Sequence, residues 1–363
     1  MRRMNPRPRH DPRDDAAGRA RHARCRSQDR WDFIRRGVLA AARVGIVALI
    51  AQVPLCAFAA QAGRFYAADS FWNTPIPLGA ATDPNSRAEV SVSFAPFAAR
   101  AGFSNGDFGI ALAYASARDK VYVIGCTGDA EQCNGRRSFR FPIPDGARPA
   151  AGSDHHLSVI YPAHDGSAFS GKELDIWQAR YDAAADAWSG VGIAMLDLYG
   201  SGVCELTSAQ RAAGRRCLSS VAAGVAALGG VVRPEEIARG YIDHALALAT
   251  PAILAGYIAC PATHSDGRHA APAIPEGARV QLDPDIDIAA QDWPRWVKII
   301  ARALQQYGGI VVDYSDVLLV KGISDHNAGV PKWSSVGVPV DRYNDLAMIP
   351  WQRLRVIATR ACS

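Results

Sequence analysis

No two cysteines of this chain stand at C-x-x-C spacing, and the sequence contains no H-E-x-x-H. These absences argue against structural zinc, thioredoxin-type redox chemistry and a zinc-protease helix. The phosphate-cradling loop G-x-x-x-x-G-K-[ST] and a dinucleotide fingerprint are missing as well, which argues against nucleotide cofactors. Nor does a Pro/Ser/Gly linker divide residues 63–363, so that stretch reads as one domain with room for a large core.

Positive charge is short where a nucleic-acid binder would need it. The chain carries 40 Lys/Arg against 35 Asp/Glu, but residues 1–62 hold 13 of the former and 5 of the latter. The remainder has 27 basic and 30 acidic residues, with no basic stripe among aromatics. Nucleic acid is therefore not an expected partner. The leading segment is Arg-dense up to Arg36, apolar from Val44, and ends in small residues around Ala57, Ala59 and Ala62. That is the pattern of a basic n-region with a signal peptide, cleaved after Ala59 or Ala62. A single membrane anchor over residues 37–60 is the competing reading. With cleavage no stable membrane span remains, and the expected location is periplasmic or secreted.

Six cysteines lie beyond residue 62. An even number in an exported chain suggests disulfides. Spacing favours Cys126–Cys133 and Cys204–Cys217 as local staples, leaving Cys260–Cys362 to tie down the C-terminus.

What is present, from Ile110 onward, is a period of two. Strands are expected over residues 121–125, 138–142, 156–161, 173–181, 192–198, 241–247, 256–260, 279–282 and 310–313. Helices are expected over 86–100, in an insertion at 207–228 closed by Gly229-Gly230, from Pro234 to Gly240, and over 294–307. The fold class expected from this is mainly β: an antiparallel, jelly-roll-like β-sandwich with several peripheral helices.

The stretch from Gly152 to Pro162 organises the chemistry. Alternation places His156, Ser158 and Ile160 on one face and His155, Leu157, Val159 and Tyr161 on the other. The second set is the better core face, so His156 should look toward whatever the open face of the sheet holds. Asp154 precedes it, Asp175 lies on the next strand, and Asp243-His244 follows later. A His–carboxylate pair can set an imidazole's tautomer and pKa for general acid–base work. The candidate catalytic residues are His156, His244, Asp154, Asp175 and, in reserve, Glu236. Acids in a helix's first turn, such as Glu235 and Glu236, are also favoured by the helix dipole without any catalysis. For Asp313, a buried hydrogen-bonding role is expected. Trp177, Arg279 and His155 are candidate substrate contacts. Tryptophans such as Trp72, Trp177, Trp188 and Trp333 could stack on sugars or fill a sandwich core.

Metal readings are weaker. His264 and His269 match no familiar zinc spacing. Asp283, Asp285 and Asp287 start like a calcium loop, but Pro294 stands where its Glu should be, leaving room only for an irregular calcium site. No cofactor is expected.

At these residues the chain resembles a family of exported bacterial proteins. The resemblance rests on Phe71-Trp72-Asn73-Thr74-Pro75, Ser153-Asp154-His155-His156 and Asp175-Ile176-Trp177-Gln178-Ala179. It extends through Arg233-Pro234-Glu235-Glu236, Gly240-Tyr241-Ile242-Asp243-His244-Ala245-Leu246 and Ala303-Leu304-Gln305-Gln306-Tyr307-Gly308. It implies an extracytoplasmic role around polysaccharide and brings no assignment of catalytic residues. The function expected is cleavage of glycosidic bonds, by hydrolysis or, on a uronate-containing polysaccharide or oligosaccharide, by elimination. The alternatives are a non-catalytic carbohydrate-binding or envelope protein and a metal-dependent hydrolase.

Overall fold

The computed structural model describes residues 64–204, 217–341 and 343–358. In chain order the first strands are β1 (Gly102–Ser104), β2 (Ile110–Tyr114), β3 (Val121–Cys126), β4 (Ser138–Pro142), β5 (Leu157–Tyr161), β6 (Lys172–Trp177), β7 (Arg180–Asp182), β8 (Ala187–Gly190) and β9 (Gly192–Asp197). The remainder are β10 (Leu246–Thr250), β11 (Ile253–Ile258), β12 (Ile274–Glu276), β13 (Arg279–Leu282), β14 (Gly309–Tyr314), β15 (Leu319–Lys321), β16 (Ile323–Ser324), β17 (Asn344–Asp345) and β18 (Leu354–Val356). The α-helices among the described residues are α1 (Ser86–Ser93), α2 (Pro234–Arg239) and α3 (Arg295–Gln306).

The fold is mainly β. A five-stranded sheet has the order β16-β2-β5-β6-β9, a four-stranded sheet β4-β3-β8-β7, and a seven-stranded sheet β17-β1-β15-β10-β14-β13-β18. Strands β11 and β12 form a separate pair. Pairing is mixed rather than purely antiparallel: β2 runs parallel to β5 and β16, β10 to β14, β1 to β15, and β3 to β8. Parallel partners need a crossover connection. The chain supplies them, with the β3–β4 hairpin between β2 and β5, and α3 between β10 and β14.

Alternation decides which face of the five-stranded sheet meets which neighbour. Leu157, Val159 and Tyr161 of β5, with Leu174 and Ile176 of β6, pack against Tyr122, Ile124, Phe139, Phe141 and Trp188 of the four-stranded sheet. This is a sandwich core, and each large side chain fully buried there contributes about 1.5–3 kcal/mol. Ile160 of β5 and Leu112 of β2 belong to a second core with Leu248, Val311 and Val320 of the seven-stranded sheet and Ile300 and Leu304 of α3. The face carrying His156 is thus covered by the larger sheet instead of standing open, and His156 is 2 % exposed.

Local chemistry sets the boundaries. The helix expected over residues 86–100 breaks at Phe94, whose φ/ψ of −130°/−50° is not helical, and continues as a 3₁₀ turn over Ala95–Arg100 with Pro96 at its start. Helix α2 begins with Pro234 and ends at Gly240, whose φ of 94° only glycine adopts without strain. The helix expected over residues 219–228 does not form, its remnant being a 3₁₀ turn at Ala227–Gly230. Gly224 has φ 68°, and a Cβ there would collide with Thr263 and the Cys217 carbonyl. Gly229 and Gly230 are not a helix stop: they lie against the Trp72 ring, where a Cβ would not fit. The expected capping sequence from Thr207 to Gln210 lies outside the described residues.

Disulfides Cys126–Cys133 and Cys204–Cys217 are present, each with Cα atoms 5.8 Å apart. Cys260 is also disulfide-bonded, and Cys362, the partner expected for it, lies outside the described residues. No described helix is long and apolar enough to cross a membrane.

Candidate active site between two sheets

The Ser153–His156 loop turns at His155, which holds a φ of 44°, uncommon for a non-glycine residue. Its backbone is fixed by the strand next door. The Asp154 carbonyl accepts from Gln178 N–H at 2.9 Å and the His155 carbonyl from Ala179 N–H at 3.1 Å. The loop therefore delivers His156 to the face shared by Ser158 on β5 and Asp175 on β6, which are direct ladder partners. His155 points elsewhere, its Nδ1 donating to the Ala150 carbonyl at 3.1 Å.

Across from them, β15 leaves the seven-stranded sheet at Lys321 and the chain re-enters as β16 in the five-stranded sheet. Lys321 is 5 % exposed and donates to Asp313 Oδ2 at 2.8 Å. Asp313 stands near the end of β14, beside a register shift where β10 and β14 pair. An ammonium has three donors, and Asp313 takes one. The charge of Lys321 acts on Asp154, His156 and Asp175 alike.

His156 is the unusual member. Neither ring nitrogen has a hydrogen-bond partner among the described residues, and both are buried. Asp154 Oδ2 is 3.9 Å from Nε2, too far for a hydrogen bond, and its side chain is 43 % exposed. Burial first, then the charge of Lys321, then His155, hold the imidazole well below its usual pKa. His156 is thus held as a neutral base.

Asp175 differs. Ser158 Oγ donates to its Oδ1 at 2.7 Å, while Ser220 gives Oδ2 both its backbone N–H at 3.0 Å and its hydroxyl at 2.8 Å. Burial raises its pKa, and those hydrogen bonds oppose the rise. One strand step along, Glu173 is fully buried and accepts from the Tyr66 hydroxyl. Burial, then the charge of Asp175, push Glu173 well above the ordinary carboxylate range.

The other two expected catalytic residues are built into a different network. Glu236, 0 % exposed, accepts from Arg233 N–H at 2.9 Å, from the Arg233 guanidinium at 2.6 Å and from His244 Nε2 at 2.8 Å. Burial alone would raise its pKa, but Arg233 and then His244 overcome that and pull it down to about 2. His244 Nδ1 faces the Ala245 carbonyl at 2.9 Å. Both ring nitrogens therefore face oxygens that only accept. Glu236 and His244 cap and anchor α2; none of their hydrogen bonds reaches His156, Asp154 or Asp175.

The expected substrate contacts also separate. Arg279 gives its guanidinium to the Tyr307 carbonyl at the C-terminal end of α3 and to Thr74, and burial lowers its pKa to about 10. It is a helix clamp. Trp72, Trp188 and Trp333 are core residues, while Trp177 is half-buried. Asp283 and Asp287 serve backbone turns, and Asp283 also pairs with Arg353. Among the described residues no group of three or more His, Cys, Asp or Glu side chains is arranged to hold a metal.

Residues missed by sequence reasoning come from distant parts of the chain: Lys321, Ser220 and a pair of acids, Asp266 and Glu276. Ser104 is a further case. Gly102-Phe103-Ser104-Asn105-Gly106 has the spacing of a hydrolase nucleophile elbow, yet β1 leads through a turn into β2 and not into the helix such an elbow requires. Its hydroxyl is buried without a partner among the described residues, and Ser104 is the ladder neighbour of Lys321.

No family model, curated protein or solved structure matches this chain.

Proposed function

We propose that the chain is an exported carbohydrate-active enzyme that cleaves glycosidic bonds of a polysaccharide by acid–base chemistry, and that the cleavage is an elimination beside a uronate. The observation that carries this reading is His156, a buried neutral imidazole with two unpaired nitrogens next to the Lys321–Asp313 pair. Buried polar groups are normally satisfied, and a group that is not invites a ligand. Elimination needs an unprotonated base for the carbon beside the substrate carboxylate. It also needs a cation to hold that carboxylate as charge develops. His156 and Lys321 have those properties.

Hydrolysis fits less well. It needs two carboxylates facing each other across the scissile bond. Of the expected pair, Asp175 has both oxygens occupied by serines and Glu236 is locked between Arg233 and His244. Disulfides suit an oxidising compartment, in keeping with the signal-like leader.

The test is to incubate the purified protein with neutral and uronate-containing polysaccharides, following reducing ends and the ultraviolet absorbance of unsaturated uronates together. Both signals, lost by about 10²-fold or more in His156→Ala, are expected. Reducing ends alone would mean hydrolysis, and saturable binding without turnover would mean a carbohydrate-binding protein; either sinks the elimination.

A further inference from the structure

Of the tryptophans among the described residues, only Trp177 packs against neither core. Trp188 belongs to the sandwich core, Trp72, Trp333 and Trp351 to the larger one, and Trp293 and Trp296 pack on the larger one. Trp177 ends β6, is half-buried, and has Gly192 of β9 as its ladder partner. A Cβ on Gly192 would stand 3.5 Å from Trp177 Cβ and 3.6 Å from Cε3 of the ring, so β9 puts no side chain against that edge of the indole. Among the described residues no aromatic ring or cation meets the indole, and its N–H makes no hydrogen bond. A tryptophan left this way keeps both its apolar face and its polar handle for something outside the fold.

The ladder sets this ring beside His156. Leu157 and Ile176 are direct partners, and both enter the sandwich core. The next residues outward are His156 before β5 and Trp177 on β6, and alternation turns both to the opposite face. Side chains opposite one another on an antiparallel pair have Cβ atoms about 4.5–5.5 Å apart. Past them the two segments stay joined, with Gln178 N–H donating to the Asp154 carbonyl at 2.9 Å and the Gln178 side-chain amide to the Ser153 carbonyl. Asp154, the partly exposed member of the site, brings its carboxylate to 3.9 Å from His156 Nε2. An accessible ring thus borders the buried imidazole, with hydrogen-bonding groups at its rim.

We infer that Trp177 is the stacking platform for a pyranose ring of the polysaccharide, bound next to His156. The inference rests on the carbohydrate reading above and names the part of the chain that site takes. A pyranose has an apolar face of C–H groups and a rim of hydroxyls. The face lies on the indole, as apolar ligand surface does in aromatic-lined sites, and the rim meets Asp154 and the indole N–H.

The experiment uses the whole chain and short oligosaccharides from pectate, alginate and xylan. Affinity is measured in a His156→Ala background, which should hold the sugar without turning it over, and KM in the otherwise unchanged protein. Trp177→Ala should raise both Kd and KM by about 10-fold or more. It should change kcat less, and the melting temperature little, since the ring supports neither core. Trp177→Phe and Trp177→Met decide the matter if Trp177→Ala does not fold. Phe keeps a ring and Met keeps apolar bulk without one, so the Phe variant should bind more tightly. Unchanged affinity in Trp177→Ala, or equal affinity in the Phe and Met variants, overturns the platform while leaving the elimination standing. Weakened binding as expected, with reducing ends but no unsaturated product from the wild type, removes the elimination and keeps the platform. No binding of any of these oligosaccharides removes the carbohydrate reading and this inference together.

Discussion

Replacing Glu236 with Ala separates the structural network from the one proposed to react. Its carboxylate is wholly buried and holds Arg233, itself 5 % exposed, together with His244. Removing one member of a buried ion pair and leaving its partner uncompensated costs about 3–5 kcal/mol. Linkage provides a second estimate. A carboxyl whose pKa drops from 4.5 to about 2 on folding contributes about 3 kcal/mol at neutral pH, at 1.36 kcal/mol per unit. Because the folded value is the lower one, that stability is fully present above about pH 4.5 and is lost as the pH falls through about 2. Thermal unfolding of wild type and Glu236→Ala across pH is the assay. At roughly 2–4 °C per kcal/mol for a chain somewhat shorter than this one, the variant should melt roughly 6–12 °C lower at pH 7. The gap should narrow below about pH 4.5, and the folded variant should keep its activity. A neutral-pH gap below about 1 kcal/mol, or one that acid does not narrow, would refute the reasoning.

Three further outcomes are expected. Since burial, Lys321 and His155 hold His156 below 6.5, the acid limb of kcat/KM should fall below that value; a limb at or above it would show an ordinary histidine. The stability His156 contributes as a buried neutral group is likewise present above about pH 6.5 and lost as the pH drops through its folded pKa. Ser220→Ala removes the hydroxyl bond to Asp175 and keeps the N–H, so urea unfolding should show a loss of about 1–3 kcal/mol, and no measurable loss would mean Asp175 is satisfied without it. Opening the Cys126–Cys133 loop, seven residues in separation, as the double Ser variant should cost about 2.5 kcal/mol by loop entropy, read from the same urea midpoint; an unchanged midpoint would contradict the entropic account.

Strands bounded by turn residues were legible because local pattern sets them. Residues 138–142 and 279–282 are strands with the expected limits, and the two faces of β5 divide between the two cores as alternation requires. Failures occur where tertiary contact overrides a local preference. The Ala-rich run before Gly229 has helical composition, but it threads between sheets, and its glycines exist for Trp72 and the Cys217 carbonyl. The single strand expected over 173–181 splits because Gln178 adopts φ 55°, which no periodicity announces. Parallel pairing was hidden for a similar reason, since crossovers depend on which distant strands meet.

The site repeats this lesson in chemical terms. Asp154, His156 and Asp175 could be grouped from the sequence because β5 and β6 are sequence neighbours that pair directly, whereas Lys321 and Asp313 meet only through the seven-stranded sheet. Composition also could not tell two networks apart, for each contains a histidine, a carboxylate and a cation. The difference lies in satisfaction. Around Glu236 each oxygen and each His244 nitrogen is engaged, and cations overcome burial to keep the carboxylate ionised. Fixed charges in that state hold α2 in place and have no proton to offer. Around His156 no hydrogen bond from the described residues compensates burial, which together with the charge of Lys321 holds the imidazole neutral. A neutral imidazole has a lone pair ready to take a proton, and this is why the proposed chemistry is placed in the second network and not the first.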